Sequence, residues 1–423
     1  MELQLAKGTR DIFPEEQMVR QKIIDLLRKN FESYGFSPLE TPILERYETL
    51  VAKFGAGQES DALKETFKLS DQGKRDLGLR FDLTLPLARF IALNPQIRFP
   101  FKRYQIGQVF RDGPIKLGRY REFWQCDVDV VGFKNLKYDA ELLKIVDEVF
   151  KSLDLEVEIQ LNSRSILKDI LDSFGIKKDR DSVMITLDKI EKIDESEVEK
   201  ELKEKGIKKA RELILLLKKE KDNKKTIDKI RKYLTKESLD EINEILDYLK
   251  KVNLNSVVLN PGLARGLSYY TGPVFEVFLK DSEIKGSVCG GGRYDNLIGS
   301  YTENKREVPA TGLSFGLDVI TDAIRLKQNF ENKTSVKVYV VPIKNVDECI
   351  PIVQKLRDND INADIDYNEK NISKNLDYAD KLKIPFILIC GSKELKENKV
   401  KLKNMSSGEE KLLSINEVIK LLK

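Results

Sequence analysis

The chain has 423 residues, with 74 lysines and arginines against 70 aspartates and glutamates, and it contains no histidine. Its length predicts two or three domains. Its net charge of +4 means that any nucleic-acid surface must come from local clustering of basic residues. The lack of histidine excludes a Ser-His-Asp triad, an imidazole general base and a histidine-ligated metal. Catalysis must therefore use carboxylates, arginine, lysine, tyrosine or a group of the substrate.

The amino terminus has no apolar segment of the kind found in secretion signals, and no apolar run approaches the length of a membrane-spanning helix. We therefore expect a soluble, cytoplasmic protein with no membrane partner. The cysteines are scattered and form no C-x-x-C pair, so we expect neither a structural metal nor a disulfide framework. They are Cys126, Cys289, Cys349 and Cys390.

Residues 1–164 are predicted to form the first part of a catalytic core. Apolar residues at helical spacing predict a helix over 15–33. Short strand-like runs between 66 and 132, joined by glycine, proline and charged turns, predict a mainly antiparallel sheet. Residues 138–153 return to helical spacing.

Residues 165–252 are rich in lysine and glutamate and contain no proline. Their helical spacing predicts an inserted helical domain, and a solvated helical spacer without a further role is the alternative. Glycine-rich, strand-like sequence then resumes, and residues 253–327 are predicted to complete the core.

Residues 335–423 follow a polar linker and alternate between strand and helix patterns. This alternation predicts a compact α/β domain with a partly parallel sheet. The last helix is introduced by Ser414 with Glu417 three residues later, which is the pattern of a capping box.

Four segments are too polar and too glycine-rich to serve only as core. In the first, residues 79–90, the polar residues Arg80, Asp82 and Thr84 alternate with apolar ones, so a strand would place them on one face. A sheet with one face in solvent has the same pattern. This segment by itself is therefore a weak indication of a site.

The second segment, residues 102–132, predicts two strands joined by a basic loop. Arginine suits polyphosphate because its planar guanidinium makes bidentate contacts and is always charged. A salt-bridged hairpin is the alternative. The polar residues expected on one surface are Arg111, Arg119, Arg121, Gln125, Asp127 and Asp129.

The third segment, residues 262–277, holds Arg265 and the pair Tyr269–Tyr270 between glycines. The fourth, residues 288–299, has three consecutive glycines before Arg293 and Tyr294. Three glycines destabilise a strand unless another backbone or a ligand approaches closely. The run is neither a Walker A nor a G-x-G-x-x-G motif, so no P-loop or Rossmann site is supported.

These segments, in this order, resemble the histidyl-tRNA synthetase family over nearly the whole chain. ETPILE resembles class II motif 1, FRDGPIKLGRYREFWQCDVDVVG resembles motif 2 and PATGLSFGLDVI resembles motif 3. LARGLSYYTGPVFE and CGGGRYD resemble the two signatures that distinguish the histidine enzymes. The last domain resembles the anticodon-binding domain of this subclass.

The resemblance implies an α+β fold, in which a class II antiparallel catalytic core carries a helical insertion and is followed by a C-terminal α/β anticodon-binding domain. It also implies a homodimer. The implied activity is ATP-dependent ligation of L-histidine to histidine tRNA through a histidyl-adenylate. Mg²⁺ would enter with ATP, with no metal cage made by the protein alone.

The resemblance assigns one set of residues to ATP. Arg111 would contact the α-phosphate and Arg119 the distal phosphates, while Phe123 would stack on adenine. Arg265 would neutralise the α-phosphate as the histidine carboxylate attacks, so Arg265 and Arg111 are the implied catalytic residues.

A second set is assigned to histidine. The α-amino group is expected to contact Asp82, Thr84 and Gln125. The ring nitrogens are expected to contact Asp129 and Tyr270, with Tyr294 closing the pocket and Tyr269 in the same site.

Two positions depart from the family pattern. Ser268 stands where the signature usually has aspartate, and Val319 stands where motif 3 usually has an ATP-binding arginine. Both departures favour the main alternative, a catalytically silent paralogue that acts as the regulatory subunit of ATP phosphoribosyltransferase. Against it, those proteins lack an anticodon domain, whereas 335–423 resembles one. Another class II synthetase, such as the threonyl or prolyl enzyme, is a further alternative, but the threonyl enzyme's zinc site needs histidine.

The missing histidine also suggests a regulatory hypothesis. The chain can be translated when charged histidine tRNA is scarce. Compositional drift is the alternative explanation.

Overall fold

The computed structural model describes residues 3–51, 64–115, 118–187, 189–190, 193–220, 222–264, 269–302, 304–327 and 333–423. The chain divides into two compact units. One comprises Met1–Arg10 and Lys22–Leu326, and the other comprises Asp11–Gln21 and Lys327–Lys423. Within the described ranges, no helix is long and apolar enough to cross a membrane.

The larger unit contains one wide sheet and one small sheet. The strands of this unit are β1 (Ser37–Pro38), β2 (Leu44–Arg46), β3 (Lys68–Ser70), β4 (Asp76–Leu79), β5 (Phe101–Phe110), β6 (Glu122–Val131), β7 (Val157–Ser163), β8 (Val257–Leu259), β9 (Pro273–Leu279), β10 (Cys289–Arg293) and β11 (Ala310–Gly316). The wide sheet has the order β1-β5-β6-β11-β10-β9-β7-β8, and a small sheet has the order β2-β4-β3. In the wide sheet β1–β5 and β7–β8 are parallel and the other pairs antiparallel, which confirms the predicted mainly antiparallel sheet.

Helices cover one face of this sheet and connect its strands. They are α1 (Pro14–Ser33), α2 (Tyr47–Val51), α3 (Thr84–Leu93), α4 (Leu136–Ser152), α5 (Arg164–Ser173), α6 (Arg180–Leu187), α7 (Glu195–Glu204), α8 (Ala210–Leu217), α9 (Asn223–Ile230), α10 (Lys236–Lys251) and α11 (Leu317–Lys327), with short 3-10 helices at Arg231–Tyr233 and Ile298–Tyr301. The predicted helices over 15–33 and 138–153 correspond to α1 and α4.

One face of the wide sheet is an apolar core. The ring of Phe31 on α1 lies 5.7 Å from that of Tyr104 and 5.8 Å from that of Phe315, and Phe150 on α4 lies 5.8 Å from Phe315. Cys126 on β6 is fully buried on the same face. Because side chains alternate along a strand, the polar residues of β6 lie on the opposite face.

Helices α5 to α10 lie between β7 and β8 in the chain, as the helical spacing of this segment predicts. Several begin with a side chain that accepts a hydrogen bond from the first turn, as Asp194, Asp222 and Thr235 do. Each buries one apolar stripe, which is why the charged residues between the stripes can remain in solvent. The boundaries of a separate domain here stay a prediction.

The smaller unit has its own sheet. The elements of this unit are β12 (Val338–Pro342), α12 (Val346–Arg357), β13 (Ala363–Ile365), α13 (Ile372–Lys381), β14 (Phe386–Cys390), α14 (Ser392–Lys396), β15 (Val400–Asn404), β16 (Glu410–Leu413) and α15 (Ile415–Leu422). The sheet has the order β13-β12-β14-β15-β16, with the first three strands parallel and the last two antiparallel. The C-terminal helix carries the capping box of Ser414 and Glu417, as predicted. The strand–helix alternation of the sequence did not predict the hairpin β15–β16 or the short helix α14.

Candidate active site

The open face of the wide sheet carries alternate residues of β6. Phe123, Gln125, Asp127 and Asp129 all lie on this face, because they alternate with buried Cys126 and its neighbours on the other. The predicted placement of Gln125, Asp127 and Asp129 on one face is therefore confirmed, whereas Arg121 pairs with Asp112 in the loop before β6 at 2.8 Å.

Glycines on the neighbouring strands form a floor beside these side chains. Gly107 on β5 and Gly316 on β11 lie directly opposite Gln125, and Gly312 on β11 lies opposite Asp129. Residues directly opposite in an antiparallel pair project from the same face. Because glycine has no side chain, this row leaves room for the longer side chains that approach it.

Two of these glycines are required by close approaches. A Cβ on Gly312 would lie 1.9 Å from Oδ1 of Asp129, so the carboxylate occupies the space that a side chain would need. A Cβ on Gly291, within the triple glycine of β10, would lie 2.0 Å from the carbonyl oxygen of Gly312. The expectation that another backbone approaches the glycine run is confirmed.

Asp129 lies in a network of buried charges. Arg103, directly opposite on β5 and fully buried, places Nη2 2.9 Å from Oδ2 of Asp129 and 4.0 Å from Oδ2 of Asp127. The same Nη2 donates to the carbonyl oxygen of Leu83 at 3.1 Å. The Tyr294 hydroxyl donates to Oδ1 of Asp129 at 2.5 Å. One guanidinium is thus shared by two carboxylates, and a tyrosine fixes one of them.

Burial dominates the electrostatics of this network. Desolvation raises the pKa of Asp127 and of Asp129, and the Arg103 guanidinium opposes that rise in both. Burial together with the nearby Asp129 carboxylate raises the pKa of Tyr294 well above its ordinary value. The hydroxyl therefore stays protonated and acts as a donor to Asp129.

Tyrosine rings line the same site. The ring of Tyr269 lies 4.6 Å from that of Tyr270 and 6.0 Å from that of Tyr294, nearly edge-on to the latter. Tyr270 and Tyr294 are buried among apolar side chains of α3 and the adjoining strands. The structure therefore brings together Asp129 and all three tyrosines that the resemblance assigned to histidine.

Arg111, just after β5, lies between two aromatic rings. Its guanidinium carbon is 4.2 Å from the centre of the Phe81 ring and 5.0 Å from that of Phe123, and Nε donates to the carbonyl oxygen of Phe81 at 3.3 Å. Burial lowers the pKa of Arg111, and the nearby Asp82 carboxylate opposes that change. A desolvated cation between aromatic rings is suited to an anionic ligand.

Arg119 lies in the loop between β5 and β6 and is partly exposed. Its Nη2 donates to Oε1 of Glu65 at 2.7 Å. An exposed pair of this kind is worth little, so the guanidinium can exchange this carboxylate for another anion at small cost.

The alternation of Arg80, Asp82 and Thr84 does not belong to a strand. Strand β4 ends at Leu79 and helix α3 begins at Thr84, so the strand interpretation of this segment is wrong. Asp82 instead accepts the backbone N–H of Leu85 at 2.8 Å, at the start of α3. This bond satisfies one free N–H of the first helical turn, which a period-two pattern does not reveal.

Several buried polar atoms on the open face lack hydrogen-bond partners within the residues that the structure describes. They are Nε and Nη1 of Arg103, Oε1 of Gln125, Oδ1 of Asp127 and Oδ2 of Asp129. Unpaired buried polar atoms are costly and rare, so their concentration at one place indicates a site for a polar ligand. Asp127 and Arg103 were not among the candidate ligand-binding residues, but strand register links them to Asp129.

Arg293 of the CGGGRYD signature does not face this network. It forms buried ion pairs with Asp139 on α4 and with Asp295, the latter at 3.2 Å. Burial raises the pKa of Asp139 to about 6 although Arg293 lowers it. The arginine of this signature therefore connects β10 to α4, while the next residue, Tyr294, faces the site.

Val319 is buried at the start of α11. Gly118 packs closely against it, since a Cβ on that glycine would lie 3.0 Å from Cγ2 of Val319. A cation from another part of the chain lies beside this helix. Arg10 donates from Nη2 to Oδ1 of Asp318 at 3.2 Å, and its guanidinium lies 4.4 Å from the centre of the Tyr120 ring. No sequence pattern indicated that Arg10 lies beside α11, because only the folded chain brings the two together.

Two of the predicted positions lie outside the described residues. These are the implied catalytic Arg265 and the departure at Ser268. Their roles stay predictions.

Comparisons with known proteins agree with this architecture. The family model described as histidyl-tRNA synthetase matches residues 8–320, and the anticodon binding domain model matches residues 337–423. A histidine--tRNA ligase 1 of Bacillus cereus is 43% identical over 419 residues, covering 97% of each chain. The histidine--tRNA ligase of Clostridium tetani is 38% identical over 433 residues, covering 98% of this chain and 97% of that one.

Solved structures show the same fold. Histidyl-tRNA synthetase from Nostoc sp. PCC 7120 superposes with a TM-score of 0.86 at 29% identity, covering 100% of this chain and 99% of that one. A Bacillus halodurans C protein described as an ATP phosphoribosyltransferase regulatory subunit/histidyl-tRNA synthetase has a TM-score of 0.73 at 22% identity, covering 89% of this chain and 97% of that one. The second likeness shows the fold alone. Taken with the matched family models and relatives, the chain belongs to the histidyl-tRNA synthetase family.

Proposed function

We propose that the open face of the wide sheet binds L-histidine and ATP, joins them into histidyl-adenylate with release of pyrophosphate, and then transfers the histidyl group to the terminal adenosine of histidine tRNA. The chain's relatives are histidine–tRNA ligases, and tRNA charging with histidine is its activity. The observation that carries the assignment to this face is the concentration of unpaired buried polar atoms around Asp129.

Arg111 is the residue that we assign to the α-phosphate. Adenylate formation brings an anionic carboxylate to an anionic phosphate, so a fixed cation at that phosphate supplies much of the stabilisation of the transition state. Arg111 is half-buried, and its packing against Phe81 and Phe123 reduces the exposure of the cation to water. We assign Phe123 to stacking on adenine, and Arg119 can exchange Glu65 for the distal phosphates. Arg265 remains our second candidate at the α-phosphate.

Mg²⁺ is expected to accompany ATP. Within the described part of the chain, no group of three or more Asp, Glu or Cys side chains could hold a metal ion. We assign the ion to the phosphates of ATP.

The histidine ring is assigned to the pocket formed by Asp129 and the three tyrosines. Oδ2 of Asp129 forms an ion pair with Nη2 of Arg103 at 2.9 Å but no hydrogen bond to the described residues, and it can accept from a ring N–H. The Oε1 of Gln125 is likewise available for the α-ammonium group, to which we also assign Asp82 and Thr84. An analogue without ring nitrogens would leave the carboxylate buried and unpaired, which is why we expect strong discrimination.

Transfer to tRNA needs a proton acceptor other than an enzyme imidazole, because the chain has no histidine. A phosphate oxygen of the adenylate, a group of the substrate or a carboxylate must accept the proton of the attacking hydroxyl.

The C-terminal unit is our candidate for anticodon recognition. Tyr367 is 59% exposed just after β13, close in sequence to Lys370 and Lys374. An exposed aromatic ring beside lysines suits an unstacked base and its phosphate. The basic segment 218–232 of the helical insertion is our candidate for backbone contacts with the acceptor arm.

We also propose a homodimer. The small sheet β2-β4-β3 has exposed apolar residues, which are Leu44 on β2, Leu69 on β3 and Ile43 just before β2. Between 38% and 47% of each is accessible to solvent. Such residues close together are suited to burial against another protein surface.

The assay for this function is amino-acid-dependent ATP–pyrophosphate exchange, followed by transfer to a transcript of histidine tRNA. We expect exchange with histidine alone among the amino acids and with no analogue that lacks both ring nitrogens. Exchange with another amino acid, or none with any, would overturn the proposal. The latter result together with binding to an ATP phosphoribosyltransferase would favour a regulatory subunit, although the matched anticodon-binding domain argues against it.

A further inference from the structure

Arg103 has no role in the function proposed above, yet it is among the largest fully buried side chains of the protein. A buried guanidinium costs several kcal/mol of desolvation unless it is paired. It contacts the carboxylates of Asp127 and Asp129 and the carbonyl oxygen of Leu83. Its Nε and Nη1 are buried without a hydrogen bond to any described residue. A residue retained only for stability would satisfy more of its donors.

Arg103 lies closer to the carboxylate of Asp129 than to that of Asp127. Nη2 is 2.9 Å from Asp129 but 4.0 Å from Asp127. The carboxylate that is held more closely also accepts the Tyr294 hydroxyl, so both of its oxygens have a defined position. Gly312 beneath it leaves no side chain to displace it.

We propose that Arg103 is a positioning residue for histidine recognition, which keeps Asp129 ionised and oriented so that its carboxylate accepts a ring N–H of the substrate. This inference rests on the proposed function and adds the residue that determines the state of its main specificity group. Asp127 competes with Asp129 for the same cation and so weakens this effect.

The charged and titratable groups that face Asp129 come from four elements. Arg103 lies on β5, Asp127 on β6 itself, Tyr294 just after β10 and Asp82 before α3. On β11 the opposite residue is Gly312, which has no side chain. Of these groups only Arg103 is a cation, so its removal leaves Asp129 among acidic and neutral neighbours.

The test compares substitutions with opposite expected effects. With Arg103→Met, the pKa of Asp129 should rise further, because the opposing charge of Arg103 is lost. The acid limb of kcat/KM for histidine in pyrophosphate exchange should then move to higher pH, and KM for histidine should rise about 100-fold with KM for ATP nearly unchanged. With Asp127→Asn, Asp129 no longer shares Arg103, and the acid limb should move to lower pH.

Arg103→Lys retains the charge and should keep the acid limb near that of wild type while KM rises modestly. The matched control is Arg80→Met, which removes another fully buried arginine, one that donates to the carbonyl oxygens of Thr41 and Gln108. It should lower stability and move the acid limb less than Arg103→Met does, because Arg80 interacts with Asp127 but does not contact Asp129.

Active Arg103→Met with an unchanged KM and pH profile would overturn the inference. If Arg103→Met does not fold, Asp127→Asn decides, since an unshifted or upward-shifted limb contradicts the sharing of Arg103. Wild-type protein without histidine-dependent exchange would instead contradict the proposed function.

Discussion

The wide sheet and the C-terminal sheet bury their strands differently. Along β12 of the C-terminal sheet, Val338 and Val340 belong to one apolar cluster, and Tyr339 and Val341 belong to another. Both faces of that sheet are therefore covered. The wide sheet has an apolar face under α1 and α4, whereas its other face carries Arg103, Asp127 and Asp129, each with an atom that makes no hydrogen bond to the part of the chain that the structure describes.

Buried residues of the C-terminal sheet contribute to stability, whereas those of the open face are suited to binding. A sheet with two apolar faces gains free energy from each buried side chain. On the open face of the wide sheet, buried charges and polar atoms without a hydrogen-bond partner among the described residues lower the stability of the fold. A bound substrate can pair with these atoms and so regain that free energy. Substitutions in the two sheets should therefore differ in kind: one set should change folding and the other should change catalysis.

The largest effect that we expect is on catalysis at the open face. Arg111→Ala should lower kcat/KM for ATP in pyrophosphate exchange about 10³-fold, because it removes a desolvated cation from the α-phosphate. The matched control is Arg75→Ala, whose side chain is 71% exposed and pairs only at the surface with Asp71. Equal activity of both variants would contradict the assignment of Arg111.

A smaller effect, on folding alone, is expected in the C-terminal sheet. Leu388 is fully buried in β14, and Leu388→Ala should lower the free energy of unfolding of this unit by about 3 kcal/mol through lost burial and a cavity. Pyrophosphate exchange should not change at temperatures where the unit stays folded. Leu412→Ala, at a position that is 48% exposed, is the control and should cost less than about 0.5 kcal/mol. Denaturant unfolding followed in parallel with exchange kinetics would show whether the two sheets can be separated in this way.

The smallest expected effect is at the glycine floor. Gly312→Ala places a Cβ 1.9 Å from the present position of Oδ1 of Asp129, so the carboxylate must move. Overpacking of this kind costs about 1–3 kcal/mol, and we expect KM for histidine to rise about 30-fold with KM for ATP unaffected. Gly286→Ala serves as control, since a Cβ there meets nothing within 4 Å. A loss of stability without a change in KM would mean that Gly312 serves packing alone.

Local sequence patterns determined most of the architecture. Helical spacing predicted α1, α4 and the helices of the insertion, and strand–helix alternation predicted the C-terminal sheet, because amphipathic periodicity reflects which face of an element is buried. The motif 2 pattern also predicted that Gln125, Asp127 and Asp129 share a face, since side chains alternate along any strand. The segment around Asp82 was the exception, because a residue that caps the start of a helix can mimic a strand alternation.

Tertiary structure decided which distant residues meet at the site. Arg103 lies opposite Asp129 only through the register of β5 and β6, and Gly312 lies beneath the same carboxylate only through the register of β6 and β11. Arg10 lies beside Asp318 although 308 positions separate them. Register and long-range contacts depend on the packing of the whole unit, so no local window of the sequence contains them. By itself, therefore, the sequence determined most of the elements and the family, while the folded sheet decided which charge holds Asp129.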